Sequence, residues 1–194
     1  MFVNFPLSFT FKIAALAPQF SVRDASDKEI AYVRQKLFKL REDISVFQDS
    51  GQRDLITSVK ADRIIDFNAA YAFVDAEGTT YGQVKRRGLR SIWRTRYDVS
   101  DLTEDIYTVQ EGNPWVKVLD SLVSEIPIIG MLTGYLFNPR YDVVSADGEV
   151  CYTLYKKPSF TGRRFELEQK RATDDDLLVV MSLIMMLILE RRRG

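Results

Sequence analysis

The stretch Asp174-Asp175-Asp176-Leu177-Leu178-Val179-Val180-Met181-Ser182-Leu183-Ile184-Met185-Met186-Leu187-Ile188-Leu189-Glu190-Arg191-Arg192-Arg193 decides how the rest of the chain must fold. Between Leu177 and Leu189 only Ser182 is polar, so a helix here has no face to give to water and must be surrounded. A membrane span needs about 20 such residues, whereas this run rises only about 20 Å against a hydrocarbon core of about 30 Å. Burial inside the protein is the expectation; a tail anchor and a dimer zipper are the alternatives. The aspartates stand at the helix's positive end and the arginines at its negative end, which complements the macrodipole and expects both ends to emerge from the core. Ser182 is expected to bond back to a carbonyl four residues earlier.

Something must wrap this helix, and the preceding sequence is built of strands. Phe20 to Asp27, Tyr71 to Gly78 and Tyr141 to Gly148 repeat one pattern: an aromatic and an aliphatic residue two apart, then Asp or Ser, Ala and two turn formers. Each reads as the first arm of a hairpin, with glycine supplying positive φ in two of the three turns. The returning arms are expected at Ile30 to Leu37, Thr79 to Arg86 and Glu149 to Lys156. Third strands are expected at Asp43 to Phe47, Ser91 to Val99 and Arg163 to Glu168. In the second of these, Trp93, Tyr97 and Val99 share the core face while Arg94, Arg96 and Asp98 share the water face. Leu7 to Ile13 alternates as an early strand, and Leu55 to Lys60 and Asp105 to Gln110 bring the tally to about a dozen antiparallel strands, hence a barrel or sandwich.

The apolar N-terminus imitates a secretory leader at Ala15-Leu16-Ala17, but no positive residue precedes it, Lys12 interrupts it and Pro18 follows, so a strand is the expectation. Asn113-Pro114 caps an expected short helix through Val123, stopped by Pro127. The apolar segment 126–137 that follows is expected to plug one end of the barrel; insertion into a bilayer and receipt of a partner are the alternatives. With 194 residues, 46% of them hydrophobic, the chain is expected to form one domain over 1–194.

Composition limits the chemistry. Lys plus Arg and Asp plus Glu are 27 each, so no global field attracts nucleic acid or an anionic membrane, and any electrostatic site must be a local patch. Histidine is absent, which removes the commonest general base and transition-metal ligand and with them every histidine-dependent triad. Cys151 is the sole cysteine, expected to be a small buried thiol in a strand of a protein from a reducing compartment. Asp174 to Asp176 match no calcium-loop spacing, and no glycine motif cradles phosphate. No catalytic residue, cofactor or metal ligand is assigned, and the chain is expected not to be an enzyme.

The turns Asp75-Ala76-Glu77-Gly78 and Ser145-Ala146-Asp147-Gly148, the segments Tyr32-Val33-Arg34-Gln35-Lys36-Leu37-Phe38 and Asn113-Pro114-Trp115-Val116-Lys117-Val118-Leu119-Asp120, and the closing apolar helix together resemble a bacterial LURF-one-related protein. The resemblance runs over almost the whole chain. It implies the fold of tubby C-terminal domains and phospholipid scramblases: a closed antiparallel barrel of about twelve strands around a central hydrophobic C-terminal helix, mainly β with one α element. Tubby-like members bind membrane phosphoinositides and scramblase-like members associate with membranes. The basic phosphoinositide motif of tubby proteins is not found here, so no family site residue transfers.

The candidate site is therefore local charge. Lys85, Arg86, Arg87, Arg90, Arg94 and Arg96 form one acid-free cluster at the ends of two strands; Lys156, Lys157, Arg163 and Arg164 occupy the corresponding place in the third repeat. One reading is a rim for anionic phospholipid or a membrane surface, in a cytoplasmic protein. Another is a solvated outer face balanced by carboxylates such as Asp98. The functional alternative to lipid binding is a soluble protein-interaction scaffold that uses segment 126–137. Neither reading sets the oligomeric state.

Overall fold

The computed structural model describes residues 3–11, 19–35, 43–61, 70–87, 96–112, 140–157 and 163–191. They form twelve strands: β1 Leu7–Phe11, β2 Gln19–Arg23, β3 Glu29–Gln35, β4 Asp43–Phe47, β5 Leu55–Ala61, β6 Ala70–Val74, β7 Thr80–Arg86, β8 Arg96–Ser100, β9 Asp105–Glu111, β10 Arg140–Ser145, β11 Val150–Lys157 and β12 Arg164–Gln169. One helix follows, α1, Asp176–Arg191. Every strand pairs antiparallel with its neighbours in sequence, and β12 pairs with β1 (Phe9 opposite Phe165, Leu7 opposite Leu167), so the sheet closes and has no edge. The three repeats are β2 to β4, β6 to β8 and β10 to β12. The strands β1, β5 and β9 precede them, which makes the barrel three four-stranded units.

Alternation along each strand puts one face inward, and the inward face is apolar: Phe9, Phe20, Val33, Ile44, Phe73, Val99, Val143, Leu154 and Leu167 are fully buried. They pack on α1, whose residues Leu178 to Ile188 are all buried. The helix has no solvent face because the barrel surrounds it, which settles the expectation of internal burial against anchor or zipper. Among the described residues no helix is long and apolar enough to cross a membrane. Contact is closest at β7, where a Cβ on Gly82 would meet Leu178 Cδ1 at 2.5 Å and the Ser100 carbonyl oxygen at 3.0 Å. Only a residue without a side chain lets the helix lie against that part of the wall.

Five short turns close one end of the barrel: those joining β2 to β3, β4 to β5, β6 to β7, β8 to β9 and β10 to β11. Each of these hairpins shifts register by one residue just before its turn, which bends and twists the strands as a curved wall requires. Gly78 (φ 90°) and Gly148 (φ 88°) take the left-handed conformation in two repeats; Asp27 (φ 62°) does so in the third, where glycine is missing.

Several expectations differ in detail. β1 is described to Phe11, β8 from Arg96 and β3 to Gln35, and the 113–123 helix and segment 126–137 lie outside the described residues. Asp98, placed by alternation on the water face with Arg96, is only 6% exposed, because a neighbouring guanidinium lies against it. Ser182 does not bond back along its helix: its buried Oγ has no hydrogen-bond partner. Replacing it by alanine removes an unsatisfied hydroxyl from an apolar core, so Ser182→Ala is expected to raise stability by about 1 kcal/mol, read as a higher midpoint in urea with an unchanged slope.

Candidate functional site

Consecutive antiparallel strands alternate in direction, so the chain order assigns every charge cluster to one end. The end opposite the short turns receives the finish of β7 and start of β8, with Lys85, Arg86, Arg87 and Arg96, and the finish of β11 and start of β12, with Lys156, Lys157, Arg163 and Arg164. The two basic hairpin ends of the sequence therefore share one rim. β9 and β10 separate them, a distance of about 15 Å around the wall at ordinary strand spacing. Helix α1 also finishes at this rim, where Arg191 and Leu187 line one cavity together with Lys156 and Arg163. Arg90 and Arg94 lie between β7 and β8, outside the described residues.

These cations are not equivalent. Arg87 donates its Nε to Asp98, and Arg96 lies 4.0 Å from the same carboxylate. Lys157 pairs with Glu166 at 2.7 Å, and Arg164 donates to Ser8 Oγ. Arg140, which the sequence reading passed over, is tied at 2.9 Å to Asp142, and Thr153 donates to that same carboxylate oxygen. Lys85, Arg86, Lys156 and Arg163 have no ion-pair partner among the described residues. The expectation of cross-strand balancing thus holds for Arg87 with Asp98 and for Lys157 with Glu166, but not for the whole set.

The other end carries the opposite sign. Each of the five turns holds two carboxylates: Asp24 and Asp27, Asp49 and Asp54, Asp75 and Glu77, Asp101 and Glu104, Asp147 and Glu149. The first of each pair is there for the turn itself. Asp24 accepts the Ser26 and Lys28 amides, Asp49 that of Gly51, Asp75 that of Thr79, Asp101 those of Thr103 and Glu104, and Asp147 that of Glu149. Backbone amides account for the first acid of each pair, and Arg23 and Arg171 pair with Asp27, Asp147 and Glu149, while the free cations of the rim have no ion-pair partner among the described residues. Among the described residues, the turn acids and the basic strand ends thus stand at opposite ends of the barrel. No family model matches this sequence, and neither does any curated protein.

The cavity at the basic rim has a volume of about 210 Å³. Phe11, Phe165, Leu187 and Tyr141 form its walls, each at most 8% exposed, and Lys156, Arg163, Glu190 and Arg191 edge it. Arg191 stacks over the Phe11 ring with 5.6 Å to the centroid, and its Nη1 is buried with no hydrogen-bond acceptor. Glu190 is engaged from the wall, accepting the Tyr97 hydroxyl at 2.8 Å.

Tyr97 belongs to a set that the sequence reading missed. Inward tyrosines hold both ends of α1: Tyr97 reaches Glu190, Tyr107 donates to Asp175 at 3.0 Å, and Tyr152 donates to Asp176 at 2.5 Å, with Gln169 on the same oxygen. The signal was available as tyrosines on core faces opposite a helix with acids only at its ends. Cys151 is buried and free, and among the described residues no three acids or thiols gather as a metal ion would require.

Burial pushes the phenols of Tyr81 and Tyr107 up to about 12 from an ordinary 10, and the Asp175 carboxylate adds to the effect at Tyr107. Burial also raises Tyr141 and Tyr152. A raised folded-state pKa keeps the phenol neutral in the fold while the unfolded chain ionises, so the stability these groups give is complete below pH 10 and is lost as pH rises toward 12. Without histidine, no side chain of ordinary pKa titrates near neutrality. Melting temperature is therefore expected to stay level from about pH 6 to 9 and to fall steeply above 10. Thermal melts across that range, with tyrosinate absorbance followed in parallel, check it.

Proposed function

We propose that this chain is a non-catalytic, cytoplasmic, LURF-one-related domain of the tubby and scramblase type that docks its basic rim on the anionic surface of a membrane. The observation that supports the reading is the pairing pattern: among the described residues Lys85, Arg86, Lys156 and Arg163 have no ion-pair partner at one end, where Arg191 also emerges, while the paired turn acids stand at the other. Near an anionic surface such an arrangement orients the barrel before contact, attracting one end and repelling the other. The closed barrel around an apolar helix fits the family resemblance. The filled interior and the missing histidines support a binding role over a catalytic one.

Flotation with vesicles tests it. Protein is expected to float with vesicles containing anionic lipid, to stay behind with purely zwitterionic ones, and to detach as salt shortens the Debye length from about 30 Å at 0.01 M to about 8 Å at physiological ionic strength. Protein that stays behind with anionic vesicles even at low salt would favour the interaction-scaffold reading, in which apolar segment 126–137 meets a protein. Glu111 and Arg140, which bracket that segment, stand at the same rim.

A further inference from the structure

We propose that the cavity beside the C-terminus of α1 is a binding site for a single-chain amphiphile with an oxyanion head, the head held by Lys156, Arg163 and Arg191 and the first methylenes lying on Phe11, Phe165 and Leu187. The inference rests on reading this rim as anion-binding, and the experiment below separates the two.

The charge count selects the head. Three cations edge the cavity; one carboxylate, Glu190, and the partial negative charge of about one half at a helix C-terminus oppose them. The remainder is between one and two positive charges, matching a carboxylate or a phosphate ester. Glu190 is held on the wall side by the Tyr97 hydroxyl and offsets one of the three cations. Lys156 and Arg163 have no ion-pair partner among the described residues, and Arg191 stands beside them at the cavity. Ammonium and guanidinium groups so placed give charge-assisted hydrogen bonds to an oxyanion head.

The walls select the body. A free inorganic anion meets only the cations, whereas an attached hydrocarbon chain also lies against the edges that the two phenylalanines and the leucine turn to the cavity. The size limits it to one chain. About 210 Å³ holds a head and a few methylenes but not the two chains of a phospholipid, so the remaining chain must leave through the rim.

The test titrates the full-length protein with decyl phosphate and with decanoate, both below their micelle concentrations, and with inorganic phosphate and decanol as controls. Both amphiphiles are expected to bind at least about tenfold more tightly than either control. The K156Q/R163Q double variant is expected to lose about tenfold or more in affinity for them, while K85Q/R86Q, on the same rim but away from the cavity, changes it less than about twofold. Arg163 is exposed and Lys156 half-buried, and equal melting temperatures for both variants and wild type establish that folding is not the cause. Absence of decyl phosphate binding by a protein that still floats with anionic vesicles overturns the cavity and leaves the docking surface. Equal affinity for inorganic phosphate overturns the amphiphile, and equal loss in both double variants overturns the location. Decyl phosphate binding without flotation supports the cavity and overturns membrane docking.

Discussion

Met185→Asp is expected to abolish folding. Met185 is fully buried at the middle of α1, surrounded by the barrel wall. An ionised carboxylate there has no partner and no water, and even its protonated form places two polar oxygens among aliphatic side chains. The penalty is several kcal/mol, set against a total stability of about 5–15 kcal/mol for a domain of this kind. The closed wall leaves no cheap escape: moving the carboxylate to solvent means withdrawing the helix and emptying the barrel. The expected result is loss of the cooperative thermal transition and recovery mainly from the insoluble fraction. Met185→Leu, which conserves apolar volume, is expected to stay within about 1.5 kcal/mol of wild type. An aspartate variant with wild-type melting would show that the helix does not occupy the interior.

The second large effect is on binding. Changing Lys85, Arg86, Lys156 and Arg163 together to glutamine removes the cations without described ion pairs and leaves the salt bridges of Arg87, Arg140 and Lys157 intact. Choosing Arg87 instead would leave Asp98 buried without its partner, and a fall in stability would mimic a fall in binding. Attraction to an anionic membrane is worth about 1 kcal/mol per basic side chain near the surface, so four deletions should weaken binding by about a hundredfold or more. Melting temperature should move little, because unpaired rim charges contribute little to folding. Vesicle titrations at low salt, with melts on the same samples, separate the two quantities. A variant that binds as wild type does would remove the charge-based account of this rim.

The fold was legible because two signals agreed. An apolar helix without a polar face demands an enclosure, and a threefold repeat of hairpin plus third strand supplies one. β4 falls on the residues that alternation assigned to it, and α1 extends the apolar run by a single residue, Asp176, at its start and through Arg191 at its end. Much of the site was not legible in the same way. Listing ten cations in two runs reveals neither which of them an acid on the next strand has already claimed nor which face inward. Only strand pairing shows that Asp98 neutralises Arg87 and Glu166 neutralises Lys157, while Lys156 and Arg163 beside them meet no described acid. The cavity was likewise invisible, since its residues come from β1, β10, β11, the start of β12 and the last turn of α1. Ser182 fails for a different reason. A hydroxyl in a helix often finds its own backbone, but this one is left without a partner.

Orientation tests the central claim most directly. Single cysteines placed at Arg164 on the basic rim and at Glu77 in a turn of the acidic end, each carrying an environment-sensitive fluorophore with Cys151 buried and unreactive, report which end meets the membrane. On adding anionic vesicles at low salt, the label at 164 is expected to shift to shorter wavelength and to be quenched by lipid-borne quencher, while the label at 77 stays unchanged. Equal responses at both ends, or a response at 77 alone, would contradict the account.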